Sequence, residues 1–265
     1  MITTDFVPGS PCWLDLGTPD VQGAAAFYGS VLGWNFEAMG SPDEPEGGMF
    51  RKDGKIVAGL GKLTEQGAKS AWMIYYSVAD ADSTTRAVEA ANGTVRVAPT
   101  DLDEWGRMAQ YTDPQGAQFA VWQPGSTKGV ELVDVPGSLS WTELYTTDAA
   151  AAKGFYGSVL GWQYSETEMP GGGGTYTMIT PGGLPEERMH GGLMELPEQQ
   201  LAQAGGRPYW HPVFAVTDCD EAVAAVTGNK GKVQMGPDDA EGVGRLAVCL
   251  DPWGAEFVVL AASGS

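Results

Sequence analysis

Polar and apolar residues alternate over 12–17, and the alternation stops at Thr18-Pro19-Asp20. Proline at a first helical position, followed by apolar residues three and four apart, predicts a helix from this point. Its buried stripe is Val21, Ala24, Ala25, Phe27, Tyr28, Val31 and Leu32. Gly33 supplies the stop, and Trp34-Asn35-Phe36 begins a strand. Residues 72–78 then predict a strand, 80–91 a helix, and Asn92-Gly93 its end. "TVRVA", "MAQYT" and "AQFAVW" follow as strands, with Asp113-Pro114-Gln115-Gly116 as the turn before the last.

The same pattern is then written again. "FYGSVLGW" occurs at 27–34 and at 155–162, and Trp13-Leu-Asp-Leu precedes it as Trp141-Thr-Glu-Leu does, at an offset of 128. Further on, Trp72, Val78, Asp80 and Asp82 match Trp210, Val216, Asp218 and Asp220 at an offset of 138. Gly106-Arg107 and the Asp-Pro-x-Gly turn at 113 keep that second offset. Ten extra residues therefore lie within the Gly/Pro-rich stretch 168–208 of the second copy. A duplication of this size means two similar domains rather than a solenoid. Residues 125–137, in the run "PGSTKGVELVDVPG", link a domain over 1–124 to one over 138–265. The fold class is α+β, with two βαβββ-like units in each copy. In the repeated phrase the aromatic pair packs a helix onto a sheet, which is a structural role.

Composition narrows the function. With 43% hydrophobic and 18% charged residues the chain is globular. No apolar run approaches the roughly 20 residues needed to span a bilayer. The first residues lack a basic segment followed by an apolar one, so no signal peptide is expected. Cys12, Cys219 and Cys249 are few, odd in number and far apart, which predicts reduced, buried thiols in a cytoplasmic protein. The net charge of −19 repels phosphate backbones and anionic lipid, so neither nucleic acid nor membrane is an expected partner. Such a surface attracts cationic small molecules, although solubility alone would also account for it. The chain has no Walker-type loop, no G-x-S-x-G and no Cys beside a matching His. Gly171–Gly174 has no following Lys-Ser/Thr, so it reads as a flexible hairpin connection or a lid, not a phosphate cradle.

The pattern W-x-[DE]-L…FYGSVLGW…DPxGAxF resembles the vicinal oxygen chelate superfamily, which includes glyoxalase I, extradiol dioxygenases and bleomycin- and fosfomycin-resistance proteins. The resemblance covers almost the whole chain, twice, and is to the tandem-domain actinobacterial type. It implies that each pair of units curls into a cup-shaped mixed sheet with helices outside and ligand inside. Metal-using members carry histidine on the first strand and carboxylate on the last, a set that leaves open positions for vicinal substrate oxygens. Carried onto this chain, the first-strand positions are Trp13 and Trp141 and the last-strand positions Ala120 and Val258, none of which ligates a divalent metal. The middle position is Met73 in the first copy and His211 in the second. No metal and no cofactor is expected, although His211 and His190 with Glu195 or Glu256 are a conceivable remnant site. A neutral, hydrogen-bonded His211 is the alternative.

Residues two apart on a strand share a face. The expected cup-lining set is Trp13, Asp15, Met73, Tyr75, Gln118 and Trp122 in the first copy and Trp141, Glu143, Tyr145, His211 and Glu256 in the second. Phe119 and Phe257 would then face the helices. Aromatic walls suit flat, π-rich ligands, and carboxylates suit a ligand amine or hydroxyl. Plugged cups, with tryptophan filling the place of a lost metal, are the alternative. The expected function is metal-independent binding of a planar aromatic small molecule. The resemblance implies a cationic antibiotic such as an anthracycline, held for sequestration, self-resistance or biosynthesis. The rival is a glyoxalase-like lyase or isomerase using His211 with Glu256 as acid–base pair. A third reading is a degenerate scaffold that associates with a biosynthetic enzyme.

Overall fold

The structure, a computed structural model, describes residues 1–40, 46–63, 69–169 and 174–263. Gly174 apart, the glycine run at 171–174 lies outside the described residues. The first copy contains β1 (Pro11–Thr18), α1 (Val21–Leu32), β2 (Asn35–Met39), β3 (Gly47–Lys52), β4 (Lys55–Lys62), β5 (Ala71–Ser77), α2 (Ala81–Ala90), β6 (Thr94–Leu102), β7 (Gly106–Thr112) and β8 (Gln118–Pro124). The second contains β9 (Leu139–Thr146), α3 (Ala149–Leu160), β10 (Gln163–Glu168), β11 (Thr175–Thr180), β12 (Gly191–Glu195), β13 (Tyr209–Ala215), α4 (Cys219–Gly228), β14 (Lys232–Ala240), β15 (Gly244–Leu250) and β16 (Glu256–Ala262). The repeated order is βαβββ, four times over. Each copy forms one mixed eight-stranded sheet, ordered β2-β3-β4-β1-β5-β8-β7-β6 in the first and β10-β11-β12-β9-β13-β16-β15-β14 in the second.

Each of the α-helices α1–α4 starts at an aspartate. Asp20, Asp80, Asp148 and Asp218 accept from the backbone N–H of Gly23, Ser83, Ala151 and Glu221 at 2.8–3.0 Å. Asp20 rather than Pro19 therefore fixes the start of α1, and Pro19 precedes the cap. The helix ends as its glycine requires, with Gly33 at φ 70° and Gly161 at φ 69°. Of the expected stripe, Ala25 alone is not buried. β6 runs on well past "TVRVA", to Leu102. Each Asp-Pro-x-Gly turn is held by its aspartate: Asp113 Oδ1 accepts from the backbone N–H of Gln115, Gly116 and Ala117. The three cysteines are free and buried, and burial pushes their thiols up.

Packing divides the chain differently from the repeat. A first unit comprises Met1–Cys12, Ile74–Gly129 and Trp141–Trp210; a second comprises Trp13–Met73, Val130–Ser140 and His211–Ser265. Apart from strand ends, each unit joins one βαβββ repeat of the first copy to one of the second. In the first unit Tyr156 of α3 donates to Asp113 Oδ2 (3.0 Å) and accepts from Trp210 Nε1 (2.8 Å). Trp162 stacks on Tyr156 at 5.2 Å and donates to the Gly9 carbonyl at 2.7 Å. In the second unit Tyr28 of α1 repeats these bonds more loosely, to Asp251 Oδ2 at 3.4 Å and from Trp72 Nε1 at 3.2 Å. Trp34 stacks on Tyr28 and donates to the Gly137 carbonyl at 2.6 Å. The twice-written phrase is thus the helix end that carries a buried Trp–Tyr–Asp relay in each unit. Phe119 packs on Phe155 and Tyr156, and Phe257 on Phe27 and Tyr28, on the helix side as expected.

Candidate functional site

On β1, Leu14 and Leu16 are fully buried, whereas Trp13, Asp15 and Gly17 on the opposite face are half-buried. Trp13 Nε1 donates to Asp15 Oδ1 at 2.8 Å, so the indole and the carboxylate form one polar pair. Asp15 stands in register with Gly59 of β4, which in turn faces Met49 of β3. A Cβ at Gly59 would lie 2.0 Å from Asp15 Oδ1, so glycine there makes room for the carboxylate.

In the first unit the corresponding row is Glu143 on β9, Gly192 on β12 and Met178 on β11. Here the pair is bridged. Trp141 Nε1 donates to the Tyr176 hydroxyl at 2.8 Å, and that hydroxyl donates to Glu143 Oε1 at 2.7 Å. A Cβ at Gly192 would lie 1.8 Å from the Tyr176 hydroxyl oxygen. Burial first, then the Glu143 charge, hold the Tyr176 phenol well above the usual tyrosine range. Tyr145 is buried and packs edge-on against Tyr209 at 5.6 Å.

The remaining expected residues fall into three settings. His211, 1% exposed, presents Nδ1 at 3.6 Å from Glu256 Oε1, and Gln234 Nε2 donates to Glu256 Oε2. Both lie in the second unit, as does half-buried Met73. In the first unit Tyr75 is buried in register with Ala120 and accepts from Gln110 Nε2 at 3.5 Å. Gln118 is exposed at the start of β8, and the buried Trp122 spends its indole N–H on the Thr127 carbonyl at 2.8 Å. Sequence reasoning missed Tyr176, Gln110 and Gln234. Tyr176 alternates with Met178 on β11, a signal that would have placed both on one face.

The residues present do not fit the divalent metal that the family's fold implies. Trp13, Met73 and Ala120 offer no suitable donor in the first copy, and Trp141 and Val258 none in the second. Among the described residues no group of three or more His, Cys, Asp and Glu could hold a metal ion. The conceivable remnant centre of His190, His211 and Glu195 or Glu256 accordingly does not assemble. Glu195 instead accepts from the Ala149 N–H at the start of α3, at 2.8 Å. His190 sits in the aromatic core beside Trp162 and Tyr76, at 5.3 and 6.1 Å, where burial pushes its imidazole down to about 3. Two clefts of about 250 and 360 Å³ flank Gln115 in the first unit; Glu195 lines the second, and none of the expected cup-lining residues lines either.

Comparison with known proteins identifies the family. Residues 138–259 match the glyoxalase/bleomycin resistance protein/dioxygenase superfamily, and residues 13–122 match a glyoxalase-like domain. The chain is 36% identical to the anthracycline biosynthesis protein DnrV of Streptomyces peucetius and 35% identical to DauV of Streptomyces sp. strain C5. Each match covers 97% of this chain and 94% of the relative. The Mn(II)-bound glyoxalase of Novosphingobium aromaticivorans shares the fold at a TM-score of 0.63 and 18% identity, over 95% of this chain and 82% of that one. With this fold, this duplication and these relatives, the chain belongs to the glyoxalase/bleomycin resistance/dioxygenase superfamily, as a tandem-domain vicinal oxygen chelate protein.

Proposed function

We propose that this protein binds a planar aromatic small molecule of the anthracycline class, without a metal of its own, in the cytoplasm and in support of that compound's biosynthesis. The observation that carries the reading is the replacement of metal donors by indole–carboxylate pairs: Trp13 with Asp15, and Trp141 with Glu143 through Tyr176. A flat ring gains on the order of 0.5–1.5 kcal/mol from each aromatic partner beyond burial. A carboxylate beside it accepts from a ligand hydroxyl or ammonium. Support for the ligand class comes from DnrV and DauV, whose names place them in anthracycline biosynthesis. The acidic chain favours a cationic ligand, and a biosynthetic enzyme is the partner that would receive or deliver it.

The test is a titration of metal-analysed protein with an anthracycline, read by tryptophan quenching, calorimetry and melting temperature. Saturable binding at micromolar affinity or better is expected, with stabilisation of about 2.7 kcal/mol at a hundredfold excess over Kd. The absence of both quenching and a rise in melting temperature would overturn the proposal.

A second reading has one observation in its favour, the buried approach of His211 to Glu256 at 3.6 Å. As an acid–base pair these two would serve a glyoxalase-like lyase or isomerase. Turnover that survives His211→Ala would remove that version.

A further inference from the structure

The two copies carry the same acid–Gly–Met row, yet differ in the row beside it. In the first copy Gly17 of β1 pairs with Gly61 of β4, and Gly61 with Gly47 of β3. In the second, Tyr145 of β9 pairs with Met194 of β12, and Met194 with Tyr176 of β11. Tyr176 thus stands where the first copy has Gly47. Its phenol lies over Gly192, accepts from Trp141 and donates to Glu143. In the first copy the counterpart of Gly192 is Gly59, over which the described side chains are the Asp15 carboxylate and the Trp13 indole N–H rather than a phenol, and that indole bonds directly to Asp15.

We propose that Tyr176 is a built-in occupant of the second copy, and that the first copy takes a ligand whose phenolic ring does there what Tyr176 does in the second. This rests on the binding reading above and names its ligand more closely: a fused-ring phenol, bound at one molecule per chain. The ligand hydroxyl accepts from Trp13 Nε1 and donates to Asp15, opening the Trp13–Asp15 bond as Tyr176 spans Trp141 and Glu143. Its ring plane lies over Gly61, where a Cβ would meet nothing within 4 Å. The row from β1 to β3 is about 10 Å wide, since adjacent strands are about 4.8 Å apart. Leu63 closes one end, against Gly17, and the half-exposed Met39 in register with Gly47 borders the other.

Two anthraquinones separate the cases: 1,4-dihydroxyanthraquinone and its 1,4-dimethoxy counterpart, which cannot donate to Asp15. Calorimetry is expected to show one equivalent of the dihydroxy compound per chain and at least tenfold weaker binding of the dimethoxy compound. Asp15→Asn and Gly61→Val should each weaken the dihydroxy compound about tenfold. Gly61→Val should leave the melting temperature unchanged, because the added side chain enters open space. Tyr176→Ala should raise the stoichiometry to two. Two equivalents on the unaltered protein, equal affinity for both compounds, or full affinity in both Asp15→Asn and Gly61→Val would overturn this inference while leaving the binding reading intact. If the unaltered protein binds neither these compounds nor an anthracycline, both fall.

Discussion

The imidazole of His190 lies among Trp162, Tyr76 and the end of β11, and neither ring nitrogen meets a hydrogen-bond partner among the described residues. Burial lowers its pKa to about 3, against 6.5 for a solvated histidine. Above pH 6.5 both folded and unfolded chains keep it neutral. Below that, the unfolded chain takes a proton that the folded one refuses, so stability is lost as pH falls from 6.5 toward 3. By pH 5 the loss from this residue is about 2 kcal/mol. Asp113 and Asp251 act in the opposite sense: burial raises both carboxyls, and the stability linked to them is lost as pH rises through their folded values. The comparison to make is therefore between the protein and His190→Leu. Denaturant melts at pH 7 and pH 5 are expected to show the unaltered protein losing about 2 kcal/mol more than the variant. Equal losses would mean the imidazole is hydrated in the folded chain. The sequence placed His190 near a possible centre because histidine is a common ligand. Nothing in the local pattern signals that Trp162, from a separate element, encloses it.

At the level of elements, the repeated helix was readable almost to the residue. Apolar spacing, an aspartate at the start and a glycine at the end are local signals, and local hydrogen bonds satisfy them. What the tyrosine of "FYGSVLGW" does was not readable, because its partners are supplied by distant segments. Tyr156 has bonds of 3.0 and 2.8 Å, whereas those of Tyr28 are 3.4 and 3.2 Å. Tyr156→Phe leaves the buried Trp210 N–H without its acceptor and removes a donor from Asp113. A cost of about 1–3 kcal/mol is expected. Tyr28→Phe should cost less, since its bonds are longer. Chemical denaturation of the two variants checks the order, and a reversed order would show that bond length is a poor guide to these relays. The same limit applies to the candidate site. Strand alternation correctly put Trp13 beside Asp15 and Trp141 beside Glu143, but Tyr176 enters from a strand whose register depends on the hairpins before it.

For the whole molecule, the duplicated sequence suggests two halves that fold separately, and the sheets do follow the copies. Packing does not. In the first unit, Phe119 and Asp113 of the first copy have Phe155 and Tyr156 of the second as partners. In the second unit, Tyr28 and Trp34 of the first copy meet Asp251, Phe257 and Phe214 of the second. A chain of residues 1–124 alone would expose Phe27, Tyr28, Trp34 and Phe119, all now at most 4% exposed. Each large side chain of this kind contributes roughly 1.5–3 kcal/mol when buried. Four together approach the 5–15 kcal/mol by which a typical domain is stable. Residues 1–124 expressed alone should therefore be unfolded, or should associate with a second copy that offers equivalent surfaces. Circular dichroism and sedimentation distinguish these outcomes, and mixing with residues 125–265 should restore a cooperative melt. A monomeric, cooperatively folded 1–124 would show that the interleaved packing is not needed for stability. In that case either copy could have arisen, and bound its ligand, alone.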